Sequence, residues 1–183
     1  MPNNEKVNCS MIKIEEKNVT VREFNKDDYN SFLIQLVGNK GWTNNFQQWR
    51  VNKNQALTLF AYHLEGYKPN ADIRKNRLMY GIFTKSGLLI GECGFEYNEA
   101  LNGIEIFVGL IEQARGKGFS NEVISALKKI SKEHNMAKIN ANIPVQHEIG
   151  IKMLETNGFK AENEFKIDFQ GAEVTMRHYV YNN

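Results

Sequence analysis

The residues with the clearest chemical capacity run from Gln113 through Ala114, Arg115, Gly116, Lys117, Gly118 and Phe119 to Ser120. Two closely spaced glycines let a backbone turn tightly and approach a ligand. Val123, Ile124, Leu127 and Ile130 follow at helical spacing, so a helix is expected from Ser120 to Glu133. A helix start presents free N–H groups and a partial positive charge, and Arg115 and Lys117 add full charges. Such a loop suits a phosphate-like anion; the bland alternative is a strand-to-helix connection with a solvated basic pair. Two common phosphate loops fail at named positions. In a Walker A loop the lysine precedes Ser or Thr and a glycine stands five residues before the second one. Here Gly118 follows Lys117, and position 111 is Ile111. A dinucleotide loop needs a third glycine where this chain has Asn121.

The elements that must position this loop follow from periodicity. Met11 to Ile14 and Asn18 to Phe24 read as short strands about a turn. Asn25 is a candidate cap for a helix from Lys26 to about Val37. Gly38 to Phe46 reads as a loop, and Trp42, Phe46 and Trp49 are packing residues or the lining of a groove. A second helix is expected from about Asn52 to Leu64, with Ala56, Leu59, Phe60 and His63 on one face and Gly66 after its end. Leu78 to Thr84, Leu88 to Tyr97 and Ile104 to Ile111 are strands joined by short turns, which predicts an antiparallel meander. Beyond the helix at Ser120 come a strand from Lys138 to Val145 and a helix from Ile149 to Thr156 closed by Asn157-Gly158. A last hairpin is expected from Phe165 to Phe169 and Val174 to Tyr181. The order implies an α+β fold, a mixed and mostly antiparallel sheet flanked by helices.

Composition narrows the classes. The chain has 183 residues, suited to a loose tail over 1–10 and a single domain over 11–183. A net charge of +2 gives no argument for nucleic acid or an anionic membrane. No apolar run approaches the ~20 residues of a membrane helix, and Met1 to Ser10 lacks the apolar stretch of a signal peptide, so a cytoplasmic location is expected. Cys9 and Cys93 make no disulfide framework, and Cys93 reads as a core residue. His63, His134, His147 and His178 show no paired metal spacing, so no metal is expected. Lys128, Lys129 and Lys132 read as a solvated helix face.

The Gln-x-x-Gly-x-Gly pattern from Gln113 to Gly118 resembles the pyrophosphate loop of the Gcn5-related N-acetyltransferases, and the likeness extends from about Val19 to Tyr181. Val19-Thr20-Val21-Arg22 with Asp27-Asp28, Gly87 to Glu92, Ile104 to Leu110, and Glu155 to Phe159 all resemble family segments. Within the family, the nearest flavour is the branch of ribosomal-protein N-terminal and spermidine acetyltransferases. The resemblance implies acetyl-coenzyme A as cofactor. Backbone N–H groups from Arg115 through Gly116, Lys117, Gly118 and Phe119 to Ser120 would hold its pyrophosphate, and its pantetheine arm would lie along Val108 to Leu110. It also implies a splayed strand whose free N–H near Leu110 polarises the thioester, with Gly109 suited to a bulge there.

A lysine-like amine of pKa ~10.4 costs ~4.6 kcal/mol to present neutral at pH 7, whereas an α-amine near ~7.8 costs about 1 kcal/mol. A base is therefore sought. Glu105 stands where histone-acetylating relatives carry a glutamate; it lies between Ile104 and Ile106, so alternation puts it on the other strand face. Glu92 on the preceding strand is the second candidate, and either glutamate could instead be a surface charge. Register from Gly158-Phe159 puts His147 where many relatives have a cofactor-contacting Asn, and Leu154 where many have a Tyr that protonates the leaving thiolate. The expected activity is acetyl transfer to a primary amine by direct attack in a ternary complex, on a protein N-terminus, a polyamine or another small amine. The competing expectation is an acyl-coenzyme A-binding regulatory module with little turnover. A monomer or homodimer is expected in either case.

Overall fold

The computed structural model describes residues 11–38, 52–68 and 71–183. Trp42, Phe46, Trp49, Cys9 and the tail over 1–10 lie outside the described residues. Among the described residues eight strands form one sheet: β1 (Lys13–Glu15), β2 (Val19–Arg22), β3 (Leu78–Thr84), β4 (Leu89–Asn98), β5 (Gly103–Leu110), β6 (Lys138–Pro144), β7 (Lys160–Phe169) and β8 (Ala172–Asn182). Their spatial order is β1-β2-β3-β4-β5-β6-β8-β7. Every neighbouring pair is antiparallel except β5 and β6, which run parallel and pair at one point, Glu105 with Asn140. The expected meander is present as β3, β4 and β5. No bulge interrupts β5 at Gly109. The β4–β5 register runs unbroken from Asn98–Gly103 to Gly91–Leu110, and the opening lies on the other side of β5.

The described α-helices flanking the sheet are α1 (Tyr29–Leu33), α2 (Lys53–Gly66), α3 (Phe119–Glu133) and α4 (Glu148–Thr156). The first helical segment is not one regular helix. A 3₁₀ turn (Lys26–Asp28) leads into α1, which widens into a π turn (Ile34–Gly38). In the widened turn two consecutive residues, Gln35 and Leu36, are both buried, and the Gln35 amide donates to Leu89 O. Local chemistry starts α2: the Asn52 side chain accepts from Gln55 N–H while the Gln55 side chain accepts from Asn52 N–H, both at 2.9 Å. The end of α4 follows its sequence signal. Gly158 has φ +85°, Gly158 N–H donates to Glu155 O, and Phe159 N–H donates to Leu154 O.

α3 carries the crossover from β5 to β6. Its buried face, Val123, Ile124, Ala126, Leu127 and Ile130, lies in one core with Tyr80, Ile82, Cys93 and Phe95 of the sheet. Burial pushes the Cys93 thiol pKa up, in keeping with a core role. The first turn of α3 is pinned as well: Glu122 accepts from Asn18 N–H at 2.7 Å, from the Asn18 amide at 2.5 Å and from Val19 N–H at 3.2 Å. Two expectations change. Lys128 is not simply solvated: its ammonium donates to Asn157 O at 3.0 Å and lies 4.5 Å from the Tyr181 ring centre. The last hairpin is longer than expected, because Lys160 to Glu164 are exposed and carry no apolar alternation.

Ile124→Ala empties a fully buried site under α3, so a loss of about 2–5 kcal/mol in unfolding free energy is expected by urea denaturation.

Candidate active site

Parallel strands β5 and β6 end on the same side of the sheet. Beyond Glu105–Asn140 no register pairs join them, so they part toward that end. Ile111 N–H donates to Ile90 O, toward β4. Backbone alternation then turns the N–H groups of Val108 and Leu110 into the gap facing β6. Arg115 donates from its guanidinium to Leu110 O, which points to the same side.

The Gln113–Ser120 loop sits at the mouth of the gap. A 3₁₀ turn (Glu112–Ala114) follows β5, and Gly118, at φ +80°, is the residue that precedes α3. No side chain caps the first turn of α3; Asn121 N–H donates to Gly118 O, and the N–H groups of Phe119 and Ser120 are left to a ligand or water. Gly116 has φ +70°, and a Cβ at Gly116 or Gly118 would meet nothing within 4 Å. The loop therefore offers an open, N–H-rich concavity, with Gln113, Arg115 and Lys117 exposed at its rim. Phe119 and Ser120 are half-buried at the helix start. On the other bank, His147 follows β6 as the cap of α4, where its Nδ1 accepts from Gly150 N–H at 2.8 Å. This bond engages one ring nitrogen and leaves Nε2 for a neighbour or solvent.

Glu105 lies where the strands diverge. Oε2 accepts from the Asn98 amide at 2.6 Å, and Oε1 accepts from Asn142 N–H across the gap at 3.2 Å. Burial raises its pKa above 4.5; the two Asn partners oppose the shift and Glu96 adds to it. Behind it, the Asn140 amide donates to Ile104 O at 2.8 Å, and Asn140 Oδ1 lies 3.0 Å from His178 Nε2. Leu154 is 2% exposed in the core, so the position from which a hydroxyl was sought supplies apolar packing.

Cross-strand register puts Glu92 opposite Gly109 and Glu96 opposite Glu105, so three carboxylates share one face of β4 and β5. Glu92 is not a surface charge. It is buried and lies 3.1 Å from His63 Nε2 of α2. Leu36, Leu59, His63, Arg77, Met79, Glu92, Glu96 and Phe107 line a cleft on this face. The partners Asn98, Asn142 and His63 were not foreseen. Helical spacing had put His63 on the apolar face of α2, and nothing in the sequence linked it to Glu92.

A mixed sheet with one parallel pair that parts into a gap, and an anion loop before a helix at its mouth, defines the class of acyl-coenzyme A-dependent N-acyltransferases. The model of the acetyltransferase (GNAT) domain matches residues 18–160, and the chain belongs to that family. It is an N-acetyltransferase that uses acetyl-coenzyme A. No curated protein matches the chain. Among solved structures, a ribosomal L7/L12 α-N-protein acetyltransferase in complex with coenzyme A is similar at 16% identity and TM-score 0.72, covering 93% of this chain and 98% of that one. A ribosomal-protein-S5-alanine acetyltransferase from Vibrio fischeri aligns at 17% identity and TM-score 0.67, over 94% and 97%. A GNAT-family acetyltransferase from Bacillus anthracis aligns at 14% identity and TM-score 0.71, over 93% and 98%. At such identities the likeness is one of fold. Among the described residues no helix is long and apolar enough to cross a membrane.

Gly116→Asp places a carboxylate in the loop's open concavity. Coenzyme A affinity, measured by calorimetry, is expected to fall about 10- to 100-fold with the far-ultraviolet circular dichroism unchanged.

Proposed function

We propose that the chain acetylates a primary amine by direct attack in a ternary complex, with Glu105 as the base. The observation that carries this reading is the place of Glu105: a half-buried carboxylate of raised pKa at the foot of the gap whose mouth holds the anion loop. The backbone from Arg115 to Ser120 binds the pyrophosphate, with Gln113 and Lys117 at the rim. Val108 and Leu110 present N–H groups to the pantetheine arm and the thioester oxygen. His147 offers Nε2 from the opposite bank. When bound, acetyl-coenzyme A supplies a thioester carbon for the amine to attack and a thiol as leaving group.

Glu105 lies four residues from Gly109, about 13 Å along the strand, so the amine proton reaches it along a chain of several waters rather than directly. Its raised pKa makes it a stronger base than an exposed carboxylate. No hydroxyl comes from Leu154, and none is demanded: a thiol of pKa ~8.5 leaves as thiolate near neutral pH and takes a proton from water. Three structural neighbours bear the names of ribosomal-protein acetyltransferases, which brings a protein α-amine into the set of acceptors to try.

Thiol release from acetyl-coenzyme A, followed over a panel of peptide N-termini, polyamines and small amines, tests this reading. At least one amine is expected to support turnover; thiol release with none of them would sink it. Glu105→Gln is expected to lower kcat about 10²- to 10⁴-fold. The base must be deprotonated to act, so wild-type kcat/KM falls as pH drops through the Glu105 pKa, on a limb above 4.5. That limb disappears in Glu105→Gln, while the limb from the amine's own titration remains at higher pH.

A further inference from the structure

Glu92 lies directly across from Gly109 near the end of β5, and the chemistry above leaves it without a task. It is 6% exposed, and its partner among the described residues is His63 Nε2. His63 is itself 2% exposed, and its Nδ1 is buried with no hydrogen-bond partner among the described residues. The ring is held in place by packing: it stacks on Phe24 at 5.7 Å and meets Phe32 edge-on at 5.5 Å.

The other two carboxylates of this face are already compensated. Glu96 pairs with Arg77 at 2.9 Å, and Glu105 accepts from Asn98 and Asn142. Glu92 faces a cleft whose remaining lining, Leu36, Leu59, Met79 and Phe107, is apolar. A buried carboxylate held by one imidazole among apolar groups is under-compensated, and a cation entering beside it restores the balance.

Resting on the amine-acetyltransferase reading, we propose that Glu92, oriented by His63, binds the acceptor's ammonium group, and that this cleft takes a primary ammonium carried on an apolar stem. Glu92 meets the charge, and Leu36, Leu59, Met79 and Phe107 receive the stem. His63 is a positioning residue that fixes the carboxylate through Nε2. An uncharged isostere gains only the apolar contacts. An acceptor that bears a carboxylate meets Glu92 and Glu96, with Arg77 as the guanidinium among the described lining residues.

The test reads binding rather than turnover. Propyl- to hexylammonium chlorides and the matching n-alcohols are titrated calorimetrically, at one pH, into protein saturated with coenzyme A. Wild type is expected to bind the ammonium form of each pair more tightly. Glu92→Gln is expected to weaken ammonium binding about 10- to 100-fold while alcohol and coenzyme A binding stay unchanged. Glu92→Asp keeps the charge and restores part of the affinity, and His63→Gln falls between. For any amine that turns over, Glu92→Gln raises the acceptor KM more than it lowers kcat, the reverse of Glu105→Gln. Equal binding of ammonium and alcohol by wild type overturns the proposal, and so does undiminished ammonium binding by Glu92→Gln. The wild-type comparison decides alone if Glu92→Gln does not fold. Selective ammonium binding without thiol release from any amine would remove the acetyl-transfer reading and leave this site standing.

Discussion

One backbone contact governs this molecule: the pairing of Glu105 on β5 with Asn140 on β6. It is the single register point of the one parallel pair among the described strands. The other ladders are runs of antiparallel pairs, with a register shift in β3–β4 and another in β7–β8. Where β5 and β6 part, backbone N–H groups that a sheet would consume remain for a ligand, as those of Val108 and Leu110 do. The parallel direction also puts both strand ends on one side, so the loop before α3 and the cap of α4 meet at the same opening. An unbroken ladder here would give a closed sheet edge with no site.

The foot of the gap is kept from closing or collapsing by polar groups that are satisfied inside the protein. Asn140 is 1% exposed and spends its amide on Ile104 O and its oxygen on His178. Glu105 reaches across to Asn142 N–H. Buried polar groups without such partners would cost several kcal/mol, so this network favours one geometry for the strands over slipped alternatives. Three carboxylates on one face of β4 and β5 then divide by environment. Arg77 neutralises Glu96, two asparagines hold Glu105 within a burial that raises its pKa, and His63 attends Glu92 among the described residues. Identical side chains acquire different chemistry from what surrounds them.

The family's usual late hydroxyl illustrates how packing can replace a chemical group. At Leu154 the chain has an apolar side chain that joins the core, while its carbonyl receives the Phe159 N–H that closes α4. The position serves stability here and offers no hydroxyl to a leaving thiolate. The consequence for rate is small, since a thiolate is a competent leaving group near neutral pH.

Much of the architecture was legible in the residues themselves. Periodicity marked the meander and α3, Asn157-Gly158 marked the end of α4, and Gln113 to Ser120 marked the anion loop, because each depends on rules that act over a few neighbouring residues. The signal failed where neighbours in sequence say little. The exposed start of β7 has no apolar alternation, the widened turn after α1 is set by burial of Gln35 and Leu36 against the sheet, and Gly109 bends nothing because β4 holds it in register. Sequence alone therefore determined an α+β scaffold with a two-glycine loop ahead of α3, and it singled out Glu92 and Glu105 as the carboxylates to watch. Only the tertiary structure decided what each of them faces. His63 lies 29 residues from Glu92, and Asn142 lies 37 residues from Glu105, and these contacts exist because helix packing and sheet order bring distant segments together. Desolvation and partner charges act through space, and so they leave no pattern along the chain.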